Sequence, residues 1–274
     1  MILSEVQVKQ FKLQGYTVAP GFFSPREVAA FQGEVERLKR QGRLRNVATE
    51  GDGATHSIQK ANLQICPMYR ESTLIRALPF DAKVTGAVTQ LIGDRVSVRL
   101  DQCFLKPARN GSGTNWHQDN AYFKIADPMR GMAMWIAVHD ATIANGTIHV
   151  IPNKIYDVLE HSRDPESDHH IRCYPNEEEA VACEVEAGGV VFFCYGTPHC
   201  TLGNSTEKDR AGIAVHFFDE EISEKMPRDK NGHPRPVLTG PNTTGGLNEY
   251  GERLIGTWEQ EVEKTLQQAY VNAI

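Results

Sequence analysis

His117 and Asp119, in the run Asn115-Trp116-His117-Gln118-Asp119, and His199, in Thr197-Pro198-His199, are the residues whose types and spacing could do chemistry. Two imidazoles and one carboxylate form the facial triad, which holds iron(II) on one face and leaves coordination positions open for substrate and O2. Side chains two apart on a strand point to the same side. A strand through His117 would therefore present His117 and Asp119 to one ion. His199 would arrive from a distant strand, 82 residues later. Arg210 stands eleven residues beyond His199, just past the turn-like Gly203-Asn204-Ser205. A hairpin centred near Asn204 and Ser205 would set Arg210 directly opposite His199. A guanidinium beside an open iron site can bind a carboxylate bidentately. The pattern points to an iron enzyme with an acidic co-substrate.

The other histidines need no such role. His139, His149 and His216 lie in apolar strand contexts and read as satisfied core or surface residues. His161, His169 and His170 fall in a charged stretch, where adjacent residues rarely face one ion, and His56 and His233 sit in loops.

The elements that must position the triad are legible in the chain. Ser4-Glu5-Val6-Gln7 is a capping box whose helix closes at Gly15, and Ser24-Pro25-Arg26-Glu27 is a stronger one. From the second, Val28, Phe31, Val35 and Leu38 share a face up to Gly42. Tyr16–Pro20 reads as a short strand, Asn46–Gln59 as a loop, and Asp81–Ile92 as a helix with Val84, Val88 and Leu91 inward and Gly93 as its stop. Beyond Gly93 the texture turns to strands: Val96–Lys106, His117–Phe123, Met132–His139, Thr147–Ile151, Val181–Val185, Val190–Tyr195 and Gly212–Phe218. Short strands separated by Gly, Pro and Asn turns predict a mainly β sandwich or barrel with flanking helices. His161–Glu179, rich in charge, reads as an exposed insertion. Lys225–Tyr250, rich in Gly, Pro and Asn, reads as an excursion of the kind that covers a site. A helix near Trp258–Tyr270 finishes the chain.

With 274 residues and 40% hydrophobic side chains, the chain suits a single domain. Residues 1–93 would be mostly helical and packed on the core, 94–220 the β core, and 221–274 a lid-like loop and helix. The net charge is 29 − 35 = −6 and the pI about 5.9, so no basic field invites nucleic acid or an anionic membrane. No apolar run approaches the roughly 20 residues of a membrane span, and the N-terminus carries no secretory signal. Cys66, Cys103, Cys173, Cys183, Cys194 and Cys200 form no CxxC pair, which predicts reduced thiols and a cytoplasmic setting. Cys194 and Cys200, although near His199, read as strand packing residues.

The chain resembles the phytanoyl-CoA dioxygenase family of iron(II)/2-oxoglutarate-dependent oxygenases over most of its length. The resemblance lies in Lys106-Pro107, Asn115–Asp119, Trp135, Asn145-Gly146-Thr147-Ile148-His149-Val150-Ile151-Pro152, and Pro198-His199-Cys200-Thr201 with Arg210. It implies a double-stranded β-helix (jelly-roll, cupin-like) core and assigns iron(II) to His117, Asp119 and His199. It assigns the C5 carboxylate of 2-oxoglutarate to Arg210 helped by Thr201, with Trp135 and Gln102 lining the co-substrate pocket. Pro152-Asn153-Lys154-Ile155 departs from the Pro-Gly-Ser-His common in relatives, which touches loop shape and not the metal. Halogenases of this fold lack the carboxylate, so Asp119 implies oxygenation.

What the resemblance implies is a dioxygenase that consumes 2-oxoglutarate and O2, releases succinate and CO2, and hydroxylates a small organic metabolite. Phe104, Trp116, Asn120, Tyr122 and Phe123 are then the candidates to touch that substrate. No basic cluster stands out to recognise a CoA phosphate. Two other readings use the same residues: a cupin-like metal enzyme without 2-oxoglutarate, and a non-catalytic β-barrel that binds a metal or ligand. Arg210 and Thr201 count against the first. An intact triad counts against the second, because structural zinc sites usually close with four protein ligands.

Overall fold

A computed structural model of the chain describes residues 2–219, 221, 236–243 and 256–271. Helix α1 (Glu5–Gln14) opens on the expected capping box and closes on Gly15, at φ 83°, whose N–H donates to the Phe11 carbonyl at 2.9 Å. Strand β1 (Tyr16–Ala19) follows. Helix α2 (Pro25–Arg40) starts on its own capping box at Ser24 and buries Val28, Phe31, Val35 and Leu38. After the short strands β2 (Arg45–Asn46) and β3 (Leu63–Ile65) come α3 (Thr73–Ala77) and α4 (Ala82–Ile92). Asp81 caps α4 and Gly93, at φ 110°, stops it, as the residue pattern predicts. Helix α3 is too short to leave a periodic signal.

The strands then run β4 (Val96–Lys106), β5 (Thr114–His117), β6 (Gly131–Ala137) and β7 (Ile148–Val150), with the short helix α5 (Asn120–Phe123) after β5. They continue as β8 (Ser162–Arg163), β9 (Ile171–Arg172), β10 (Val181–Cys183), β11 (Val190–Cys194), β12 (His199–Thr201) and β13 (Arg210–Asp219). Helix α6 (Trp258–Val271) packs against α2 and α3. One seven-stranded sheet has the order β1-β11-β6-β13-β4-β3-β2; a four-stranded sheet has β10-β7-β12-β5. This antiparallel pair of sheets is the expected jelly-roll core. Both edges of the large sheet come from the N-terminal part, so residues before Gly93 are built into the sandwich as well as packed on it.

The large sheet is buried on both faces, and the period of two sorts its residues. Met132, Met134 and Ile136 of β6, Phe192 of β11, Ile213, Val215 and Phe217 of β13, and Cys103 and Leu105 of β4 pack toward the helices. Their neighbours Ala133, Trp135, Ala137, Val191, Phe193 and Ala214 pack toward the small sheet. On that inner face β13 also carries Arg210 and His216, and β4 carries Gln102, Phe104 and Lys106. The sequence of β6 shows no polar alternation because neither of its faces meets water.

Three expectations change. The stretch His117–Phe123 is not one strand: β5 ends at His117, and Asp119, at φ −59° and ψ −30°, starts α5. Arg210 is not paired with His199. Its cross-strand neighbour is Lys106, in the other sheet, while β12 pairs with β5 and β7. The His161–Glu179 stretch is not merely exposed, since it forms the β8–β9 hairpin and buries Asp164, His170 and Cys173. Most of Lys225–Tyr250 lies outside the described residues; within 236–243, Leu238 donates to the Val96 carbonyl at 2.7 Å. All six cysteines are free, and Cys194 and Cys200 are buried in strands. Among the described residues no helix is long and apolar enough to cross a membrane.

Gly212 has no side chain because the Trp135 indole occupies that space. A Cβ there would lie 2.5 Å from the ring. Gly212→Ala should therefore cost about 1–3 kcal/mol of stability by overpacking, read as a lower urea midpoint at unchanged m. An unchanged midpoint would mean that the indole can shift freely.

Candidate metal centre

His117 and His199 are direct cross-strand partners in β5 and β12. Their ring centroids lie 4.2 Å apart. Asp119 reaches the same point from the first turn of α5. Its Oδ1 is 3.9 Å from His117 Nε2 and 4.0 Å from His199 Nε2. One ligand atom from each of the three residues falls within 4.8 Å of the others, the sole such group of metal-binding side chains among the described residues.

The hydrogen bonds of each histidine settle which nitrogen is free. His117 Nδ1 lies 2.8 Å from the Asn115 carbonyl and His199 Nδ1 lies 3.0 Å from the Thr197 carbonyl. Since a carbonyl only accepts, both Nδ1 atoms carry the proton and both Nε2 atoms offer a lone pair. Burial lowers both imidazoles to a pKa of about 4, so they are neutral near pH 7, the state that ligation needs. Asp119 Oδ2 is buried with no hydrogen-bond partner. A buried carboxylate oxygen without a partner beside two free imidazole nitrogens fits a divalent cation, and the N2O donor set suits iron(II).

Gln118, between His117 and Asp119, points the other way and anchors the loop. Its Nε2 donates to the Asp157 and Gly196 carbonyls at 2.7 and 2.6 Å, and its Oε1 accepts from Leu159 N at 3.1 Å. Its backbone N–H donates to His161 Nε2 at 3.0 Å, while His161 Nδ1 donates to the Leu159 carbonyl at 2.8 Å. Asn120 closes the same turn through two bonds with the Ile125 main chain.

A pocket extends from the triad between the sheets. Gln102, Phe104, Trp135, Thr201 and Arg210 line it, together with Lys106, His170 and His216. At its inner end Arg210 and Lys106 are both 1% exposed and sit opposite each other across β13 and β4. Arg210 lies over the Trp135 ring at 5.5 Å and donates to the Asn145 carbonyl at 3.3 Å and to Gly146. Lys106 Nζ donates to Thr201 Oγ1 at 2.7 Å and to the Leu202 carbonyl. Among the described residues neither cation has a carboxylate partner. Burial lowers the Arg210 pKa to about 10; burial and then Arg210 push that of Lys106 well down. Like charges opposed on one sheet face and removed from water are costly unless an anion joins them.

The remaining substrate candidates divide. Phe104 lines the pocket, and Tyr122, half-exposed, has its ring 6.2 Å from that of His117. Trp116, Asn120, Tyr122 and Phe123 do not line it. Trp116 packs with Ile151, Cys173 and Cys200 because it alternates with His117, and Phe123 packs on Tyr195 and Phe218. Lys106 was within reach of pattern alone, since it shares a face with Gln102 and Phe104. His216 Nδ1 is likewise not a satisfied core atom: it is buried, unpartnered and 3.7 Å from Asp119 Oδ2.

The family model described as phytanoyl-CoA dioxygenase (PhyH) matches residues 11–212. An ectoine dioxygenase of Bordetella parapertussis is 26% identical over 261 residues, covering 86% of this chain and 82% of that protein. The fold is shared with EctD from S. alaskensis, solved with 2-oxoglutarate and 5-hydroxyectoine, at a TM-score of 0.64, 24% identity, and 93% and 89% coverage of the two chains. It is shared too with the epimerase SnoN from nogalamycin biosynthesis, at 0.68, 17% identity, and 86% and 98% coverage.

Asp119→Ala should abolish high-affinity iron(II) binding in an anaerobic titration, since the site loses its anionic ligand. Gln118→Leu, which touches no ligand atom, should still weaken it about 10- to 100-fold by freeing the loop. Wild-type affinity in Asp119→Ala would remove that residue from the ligand set; wild-type affinity in Gln118→Leu would show that the loop needs no anchor.

Proposed function

The chain belongs to the phytanoyl-CoA dioxygenase family and is an iron(II)/2-oxoglutarate-dependent dioxygenase acting on a small molecule, and within that class we propose that it hydroxylates a compact polar metabolite through the site just described. The observation that carries this reading is the pair of buried cations, Lys106 and Arg210, at the far end of the pocket from the triad. A dicarboxylate is the ligand that satisfies both ends: one carboxylate for the cations and an α-keto acid for the metal. A cupin-like enzyme without an acidic co-substrate would leave both cations uncompensated. The ectoine dioxygenase relatives make a small polar ring a suitable substrate class.

In this reading His117, His199 and Asp119 hold iron(II) on one face. Bound iron(II) supplies the O2 chemistry, in which one oxygen atom enters a substrate C–H bond and the other enters succinate, with loss of CO2. Arg210 offers its planar fork to the C5 carboxylate while Trp135 holds the guanidinium from one side. Lys106 adds a second positive donor, oriented by Thr201. Ile148, Phe193 and Ala214 exclude water from the pocket walls, which strengthens these contacts. The protein's part is orientation and exclusion.

Anaerobic titration of the iron(II) protein with 2-oxoglutarate, followed by its metal-to-ligand absorption band, tests the assignment. Arg210→Ala should weaken binding roughly 30-fold to several-thousand-fold, the loss of about 2–5 kcal/mol when one member of a buried charged pair is removed. Arg210→Lys should recover part of it, because an ammonium keeps the charge and loses the fork. Binding as tight as wild type in both Arg210→Ala and Lys106→Met would sink the proposal.

The depressed Lys106 pKa adds a pH signature. A bound carboxylate favours the protonated amine, so binding should weaken as pH rises through the Lys106 pKa. Titrations of the wild type and Lys106→Met across pH read this; the same pH dependence in both would place the carboxylate away from Lys106.

A further inference from the structure

His170 enters the pocket from the β8–β9 hairpin, a segment whose charged sequence gives no hint of a site. It lines the cavity with His117 and Phe104, at ring-centroid distances of 6.0 and 5.7 Å. It is 8% exposed, and its Nε2 is buried with no hydrogen-bond partner. The other nitrogen is accounted for. Tyr122 Oη accepts from Ile171 N at 3.0 Å, which leaves its own hydrogen to donate toward His170 Nδ1 at 3.4 Å. With Nδ1 accepting from that hydroxyl, the hydrogen sits on Nε2. Burial, and then the charges of Arg163 and Arg45 among its neighbours, hold the His170 pKa well below the usual imidazole range.

A buried N–H with no partner is costly, and in a cavity wall it is matched by a ligand acceptor. The dicarboxylate is held at both of its ends, by Lys106 and Arg210 and by the metal, so the acceptor left for His170 is that of a second molecule. We propose that His170 is a substrate-recognition residue whose Nε2–H donates to a carboxylate oxygen of the primary substrate, seated against Phe104 in front of the triad. The proposal rests on the reading of the pocket as a 2-oxoglutarate oxygenase site and adds the handle by which the substrate is held. It selects small carboxylated metabolites over neutral hydrocarbons. A site built to hydrogen-bond discriminates strongly against analogues that lack the matching group.

The test uses the full chain loaded with zinc(II), a diamagnetic stand-in for iron(II), and saturated with 2-oxoglutarate so that Lys106 and Arg210 are engaged. Side-chain nitrogen NMR of histidine-labelled protein should show His170 protonated at Nε2, and acetate and ectoine, used as probes, should shift that resonance saturably. His170→Phe should weaken probe binding at least about tenfold, the scale of one lost buried hydrogen bond, with 2-oxoglutarate affinity unchanged. His170→Gln keeps an N–H donor and should stay within about threefold of wild type. The proposal is overturned by an Nδ1–H tautomer, by the absence of a saturable shift with either probe, or by unaltered probe binding in His170→Phe. Loss of 2-oxoglutarate affinity in His170→Phe but not in His170→Gln would move His170 into the co-substrate site and overturn it as well. Failure of the wild-type protein to bind 2-oxoglutarate would instead refute the underlying reading, which the same samples distinguish.

Discussion

Two positive side chains facing each other across an antiparallel pair, both cut off from water, are the constraint around which this molecule is arranged. Coulomb repulsion between Arg210 and Lys106 grows as the surroundings become less polar, and neither has a carboxylate neighbour among the described residues. The protein manages the strain with neutral groups: backbone carbonyls from the Asn145–Gly146 turn and from Leu202, the Thr201 hydroxyl, and the face of Trp135. These orient the cations without neutralising them. The pocket thus keeps a positive potential that an incoming dianion meets ready-made, with little reorganisation left to do.

The two sheets divide the remaining work. The large sheet is anchored on one face by the helices and so holds its inward residues rigidly; the small sheet brings His117 and His199 into register as direct partners. Asp119 alone comes from outside regular strand structure, which is why Gln118, His161 and Asn120 are committed to fixing its loop. The geometry of the triad then depends on strand register and on one well-tied turn.

Much of this could be read from the sequence, and the failures are instructive. Capping boxes at Ser4 and Ser24, and the stops at Gly15 and Gly93, act within a few residues, so local pattern finds them. The triad was legible because its ligand types are rare in that combination. The partner of Arg210 was not: an eleven-residue spacing and a plausible turn suggest a hairpin, but β12 and β13 belong to different sheets, a choice made by long-range pairing. Treating His117–Phe123 as a strand failed for a related reason. The chain turns at Asp119, and the Asn120 N–H bonds to the Tyr195 carbonyl, 75 residues away, which no local rule anticipates. His170 was invisible because charge composition reports average exposure, whereas one residue of a polar hairpin can still be buried.

That hairpin stands apart in the pairing scheme. Strands β8 and β9 form a two-stranded sheet of their own, tied to β5 by the Cys173 N–H on the Trp116 carbonyl and to the segment after β2 by the Ala48–Ser167 bridge. With those ties kept, the side chains of its turn can vary without shifting the register that aligns His117 with His199 or Arg210 with Lys106. In evolutionary terms the oxidising centre and the wall that meets the substrate are separable modules. A lineage could exchange the hairpin and acquire a new substrate while inheriting the chemistry intact, and a protein engineer could graft one for the same purpose.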